Sequence, residues 1–459
     1  MRTLKLALGI TALLAAQHQA FATNWFELQN NEQPGAAPYT VWGFIQPQYV
    51  HNEGGAVNGI AAPAGAKAYN GQTALFNLVG PDVTHRDQLQ IFRARGGVRG
   101  VIPGTDEKIN YFVLGEVGNN GLTRERHAVL TDASVTFNQI PGARVRVGLG
   151  RLPLGEEAMQ GVQIMDYINF TGVTDGLLNE RQVAPYSTTR PTLPTLGVPF
   201  KISKISGAIA GYRDVGVEIY DWFRKDQWEY AYALMVSQGN GIGFDNTLNR
   251  GNHDVTGRLQ ASYVFGGKGP KREDATAYIW RQEGDRAFNG TDYARTREGV
   301  GAKYLRNGLR LSGEYIRGRG MIYVSPQPQF NDVGGSVAFE PVNMVAVESS
   351  NKASGYYLDM GWRFNQKWEA DLRYDEFSKL TNSAFDERKT TTWTLGAQYF
   401  FSPALRFQVN YEIRNAKVVD PNAAGLSGTA TQQHTQLSNN TTTLNTMGNR
   451  LSAQLTWIF

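Results

Sequence analysis

From Met447 to Phe459 the chain alternates almost without a break and stops on a phenylalanine. Leu451, Ala453, Leu455, Trp457 and Phe459 share one face of an extended strand. Arg450, Ser452, Gln454 and Thr456 share the other, because successive strand side chains point to opposite sides. A soluble sheet rarely ends its chain on a bare Trp-Ile-Phe. The pattern fits the closing strand of a membrane-embedded barrel, apolar toward lipid, polar toward a lumen and aromatic at the interface.

The other end points to the same compartment. Arg2 and Lys5 make a basic start, Leu6 to Ala16 is apolar, and Ala20-Phe21-Ala22 fits the small-x-small cleavage rule. A spanning helix needs about 20 apolar residues, more than this run supplies. Met1–Ala22 therefore reads as a signal peptide, residues 1–22, with Thr23 as the mature start and 23–459 as one barrel domain. The short run from Thr23 to residue 39 is too little for a plug or passenger domain.

Composition agrees: 51 glycines, 21 tyrosines, 22 phenylalanines and 9 tryptophans supply turns and interfacial rings. No cysteine is present, so disulfides and thiolate metal sites are excluded. The formal charge of +4 loses two units with Arg2 and Lys5, a balance that gives no case for nucleic-acid binding.

Alternation recurs in sixteen segments, near 39–50, 87–101, 107–118, 129–138, 143–152, 212–223, 226–237, 253–265, 273–283, 295–306, 308–319, 354–365, 366–377, 389–401, 403–415 and 447–459. Each is close to the length of a tilted transmembrane strand. Trp228, Tyr230, Tyr232, Leu234 and Val236 share a face; Leu405, Phe407, Val409, Tyr411 and Ile413 oppose Arg406, Gln408, Asn410, Glu412 and Arg414. Short links such as Pro141-Gly142, Arg224-Lys225 and Asn365-Gln366 alternate with long ones at 51–86, 119–128, 153–211, 238–252, 284–294, 320–353, 378–388 and 416–446. Short turns on one side and long loops on the other define an all-β, antiparallel up-and-down transmembrane barrel of about 16 strands. Charge is nearly absent from mid-strand lipid positions, with Asp221 as the exception.

Arg93, Arg95 and Arg99 lie on one face of the second segment, and Arg144 and Arg146 on the inward face of the fifth. Same-face neighbours are about 6.6 Å apart, so such rows form rungs able to replace part of an anion's hydration shell. Glu116, Asp132, Glu218, Glu229, Asp254, Glu314, Asp371 and Glu412 face inward by the same phase, which leaves a general channel without anion preference open. Enzymatic readings find little support. The histidines at 51, 85, 127, 253 and 434 are scattered, without HExxH spacing, and no Gly-x-Ser-x-Gly elbow occurs. No catalytic residue, metal or cofactor is expected; a barrel-anchored enzyme or adhesin is the remote alternative.

Gly150-Arg151-Leu152-Pro153-Leu154-Gly155-Glu156, Arg213-Asp214-Val215-Gly216-Val217 and the strand from Tyr230 to Asn240-Gly241 resemble the phosphate-selective porin O and P family. The resemblance covers mainly 87–265 and the C-terminal strand. It implies a sixteen-stranded, homotrimeric diffusion channel in outer-membrane lipid, passing small solutes or anions such as phosphate. It also implies that a long loop after the fifth strand folds inward. Residues 153–211 fit that role: five prolines stiffen them, and Glu156, Glu157, Arg181, Arg190, Lys201 and Lys204 are available to decorate a constriction. Arg93, Arg95, Arg99, Arg144, Arg146, Arg181 and Arg190 are thus the candidate pore-lining, anion-binding residues. A sugar channel would be expected to line its pore with aromatics, whereas most aromatics here share the outward phase.

Overall fold

A computed structural model describes residues 24–30, 32, 35–55, 60–61, 67–68, 74–75, 87–123, 127–185, 200–208, 211–242, 252–267, 272–288, 291–321, 323–324, 329–330, 344–346, 348–384, 387–420 and 444–459. The signal-peptide reading, Arg190, His85 and His434 lie outside the described residues.

Sixteen antiparallel strands close into a barrel. The first eight are β1 (Thr40–Asn52), β2 (Asp87–Val101), β3 (Ile109–Val117), β4 (Ala128–Phe137), β5 (Arg144–Arg151), β6 (Arg213–Lys225), β7 (Trp228–Ser237) and β8 (Asp254–Gly266). The second eight are β9 (Glu273–Phe288), β10 (Thr291–Arg306), β11 (Leu309–Arg319), β12 (Lys352–Arg363), β13 (Trp368–Lys379), β14 (Arg388–Ser402), β15 (Leu405–Val418) and β16 (Arg450–Ile458). Neighbours in sequence are neighbours in the sheet, and β1 pairs β16 from Phe44↔Ile458 to Asn52↔Arg450. Phe459 completes the seam: its N–H and carbonyl exchange 2.9 Å bonds with Gly43, whose missing side chain leaves room for the phenylalanine ring.

Each expected segment corresponds to one strand. The links differ from expectation in two ways: 153–211 contains the paired strands Arg181–Pro185 and Phe200–Ala208 outside the barrel sheet, and 284–294 is mostly strand, because pairing of β9 with β10 continues from Gly284↔Arg295 to Phe288↔Thr291. Backbone bonding there overrides the broken side-chain alternation. Asp221 does not face lipid bare. It is buried and pairs with Arg144 near the short-turn end of β6.

The outer wall is largely apolar, with Val217, Ile219, Leu234, Leu259, Ile279, Val300, Leu358 and Met360 all exposed, but Asp221 is not its sole charged position: Arg281, Glu283, Glu298 and Arg317 also face outward on β9, β10 and β11, where they neutralise one another as ion pairs. Aromatic pairs band it. Trp228–Tyr263, Tyr263–Phe265, Phe265–Tyr304 and Trp368–Tyr399, 4.8–5.6 Å between centroids, ring the short-turn rim. Tyr374–Trp393, at 4.8 Å, lies six residues further along β13 and β14. Such girdles flank the lipid-facing band of outer-membrane barrels.

The buried side chains lie on the inner face. Residues 152–180 run there and include the short helix α2 (Glu156–Met159) and the turns Gly172–Thr174 and Asp175–Asn179. A backbone inside a barrel must find partners for its polar groups. The wall supplies them. Gln46 donates to the Val162 carbonyl at 3.3 Å, Gln408 to Met165 and Asp166 at 3.0 Å, and Arg297 to Leu177 at 2.9 Å. Asn410 accepts from Ile168 N–H at 2.7 Å, and Asp375 from Gly172 N–H at 2.8 Å.

Candidate functional site

Chain geometry at Gly155 fixes how this segment enters the lumen. A Cβ there would stand 2.2 Å from Glu314 Oε1. Glu314 cannot yield freely, since it accepts from Trp280 Nε1 at 2.6 Å, Tyr357 hydroxyl at 3.0 Å and Glu156 N–H at 3.0 Å. The next two carboxylates reach different partners. Glu156 accepts from Lys303 Nζ at 3.1 Å; Glu157 accepts from Thr171 Oγ1 at 2.6 Å and Arg373 Nη1 at 3.2 Å. The segment ends at Glu180, a non-glycine residue with φ of 46°. Arg286 at 3.1 Å, Arg295 and Arg297 surround it. Burial works to raise the Glu180 pKa, but the three guanidinium groups outweigh it and hold it well below the usual carboxylate range.

Two further clusters lie on opposite arcs of the ring. In the first, Arg95 pairs with Glu116, and Arg93 lies 4.1 Å over the Phe92 ring. Arg93 donates to Gln46 at 3.4 Å and has no carboxylate at ion-pairing distance among the described residues. Arg151 donates to the carbonyls of Ala158, at 2.8 Å, and Gln160. Arg213 is 0% exposed, with Asp132 at 3.5 Å and its guanidinium 4.8 Å from the Tyr212 ring centroid. These arginines converge on Tyr212, at the head of β6. Burial works to raise its phenol pKa, but Arg213, Arg95, Arg151 and Arg93 outweigh it and bring it down.

In the second cluster one arginine serves several acids. Arg310 meets Asp166 of the inner segment at 3.1 Å, Asp371 at 2.6 Å, Glu369 at 3.5 Å and Asp359. Arg406 beside them donates to the Gln398 side chain at 2.9 Å and the Met165 carbonyl at 2.6 Å.

Of the residues expected from sequence, Arg93, Arg95 and Arg146 are buried on the inner face, and Arg146 pairs with Glu218 at 2.8 Å. Arg99 and Arg144 sit toward the short-turn rim, where Arg99 pairs with Glu32 at 2.5 Å and Arg144 with Asp221. Arg181 is described only as backbone, in the short strand Arg181–Pro185. The eight inward carboxylates named from phase are all buried. Arg151, Arg213, Arg310 and Arg373 were missed as site residues. Inward phase flags Arg310 and Arg373, but only the closed ring shows which charges they meet.

The family described as phosphate-selective porin O and P matches residues 343–438. A solved anion-selective porin from Comamonas acidovorans superposes with a TM-score of 0.50 at 15% identity, covering 92% of this chain and 100% of that one. The chain has the closed sixteen-stranded barrel fold of that porin. OmpF of Salmonella typhi, solved with daunomycin, gives a TM-score of 0.49 at 14% identity over 92% of this chain and 97% of that one. No curated protein matches the chain in sequence. The family match spans β12 to β15 and the links beside them, whereas the motifs of the sequence resemblance lie upstream. The family model thus matches a part of the chain that those motifs do not occupy.

Proposed function

We propose that the porin is a passive diffusion channel for small hydrophilic solutes, favouring small anions such as phosphate or other oxyanions. Residues 153–211 form its constriction. The observation that carries this reading is the convergence of Arg93, Arg95, Arg151 and Arg213 on Tyr212, against the carboxylates of Glu116 and Asp132. Arg suits an oxyanion because its planar fork donates two hydrogen bonds and stays charged. Arg146, with Arg99 and Arg144 nearer the rim, extends the basic row; Arg181 and Arg190 belong to the constriction. In keeping with the family resemblance, the assembly is a homotrimer in outer-membrane lipid, checked by cross-linking in detergent.

A specific observation favours a second reading, a general porin without anion preference: four carboxylates crowd Arg310 on the opposite arc. Reversal potentials across a planar bilayer under a salt gradient separate the two. Anion preference should appear at low salt, weaken as the Debye length shrinks, and pass to cation preference in the Arg93→Glu/Arg95→Glu variant. An unmutated pore that is cation-selective at low salt leaves only the general porin.

A further inference from the structure

The residues before β1 do not stay at the rim. The short helix α1 (Trp25–Asn30) lies inside the barrel, and Trp25 and Phe26 are 3% and 1% exposed. Asn24 starts it, its side chain accepting from Phe26 N–H at 3.1 Å. Phe26 stacks on Tyr220 of β6 at 5.8 Å, and the two rings pack with Ala231 and Ala233 of β7 and Met159 and Ile164 of the inner segment. Trp25 faces the other way. Its Nε1 donates to Glu156 Oε1 at 2.7 Å, and Lys303 of β10 lies 5.1 Å from its ring. Glu27 and Glu32 tie the following residues to Arg224, at 2.9 Å, and Arg99, at 2.5 Å, near the short-turn rim.

The helix therefore bridges β6–β7 and β10 in the short-turn half of the lumen, directly against the segment that fills the middle. Sequence prepares the seat: β7 turns large residues outward and only alanines inward at 231 and 233. A tryptophan and a phenylalanine have no reason to sit in a water-filled passage unless that passage covers them. We infer that residues 24–30 form a second narrowing of the pore, with Trp25 and Phe26 setting its width and Trp25 positioning the constriction through Glu156. This rests on the barrel conducting as proposed above.

The test uses the full mature chain refolded in detergent, so that changes near the leader do not disturb export. The Trp25→Ala/Phe26→Ala variant should keep the heat-shifted folded band. It should show a roughly twofold rise in single-channel conductance, since pore diameter limits passage, and admit uncharged polymers that the unmutated pore excludes. Phe26→Cys provides a second measurement, because the chain has no other thiol. A buried position labels slowly with a bulky reagent, and faster once Trp25 is also Ala. Unchanged conductance and size cut-off in a folded double variant, or fast labelling of Phe26→Cys regardless of residue 25, overturns this inference alone. A barrel silent in every form overturns the channel reading and this one together.

Discussion

Around Tyr212, Arg93, Arg95, Arg151 and Arg213 meet the carboxylates of Glu116 and Asp132; on the opposite arc, Asp166, Asp359, Glu369 and Asp371 meet Arg310. The first cluster holds more cations than carboxylates, and its Arg213 meets one acid, Asp132, at 3.5 Å. The second holds more carboxylates than cations and uses every branch of its arginine. Charge in this lumen is sorted by wall rather than spread evenly. The same residue type consequently has two settings: Arg310 gathers four carboxylates, while Arg213 meets one, Asp132, among other arginines.

The largest expected effect follows from Arg310→Met. Removing the cation from a buried pair leaves uncompensated carboxylates and costs about 3–5 kcal/mol. The temperature at which the folded band is lost should fall sharply, and the reversal potential should move toward cations. An unchanged thermal transition would show that the acids are neutralised some other way.

Gly155→Ala should come next. Its new Cβ would collide with the Glu314 carboxylate that three donors hold in place, and overpacking of this kind costs about 1–3 kcal/mol. The shift should appear as noisier, larger currents, because the residues entering the lumen lose their seat. Quiet, unaltered current would mean that Glu314 gives way without moving the loop.

Arg213→Met sharpens the contrast. It removes the cation beside one buried carboxylate, Asp132, where Arg310→Met leaves four, so the cost should be smaller, about 1–3 kcal/mol. Its reversal potential should nevertheless move toward cations, the same direction as for Arg310→Met. If Arg213→Met melts as early as Arg310→Met, the two walls are not different in kind.

The barrel was legible because each strand faces two solvents, so alternation in β7, β12, β15 and β16 records both faces directly. Phase also placed Arg93, Arg95 and Arg146 inward. Two things escaped it. Strand extension past Gly284 depends on a paired neighbour, not on side-chain rhythm. Convergence of Arg151, Arg213 and Tyr212 depends on which strands meet and where the inner segment lands. The lumenal helix escaped for a related reason: a run too short for a domain still reaches a groove that alanines on another strand leave open.

The smallest effect tests the excess charge of the first wall by pH. Arg213, Arg95, Arg151 and Arg93 bring the Tyr212 phenol below its ordinary pKa despite burial. Tyr212→Phe keeps the ring and removes only the titrating hydroxyl. As pH rises, Tyr212 should ionise before an ordinary tyrosine and place a negative charge among the arginines. Anion preference should then decline in the unmutated chain, and Tyr212→Phe should remove the part of the decline that the phenol causes. Identical alkaline profiles for the two proteins would mean that the surrounding positive charge is weaker than the geometry implies, which would narrow the contrast with the Arg310 wall.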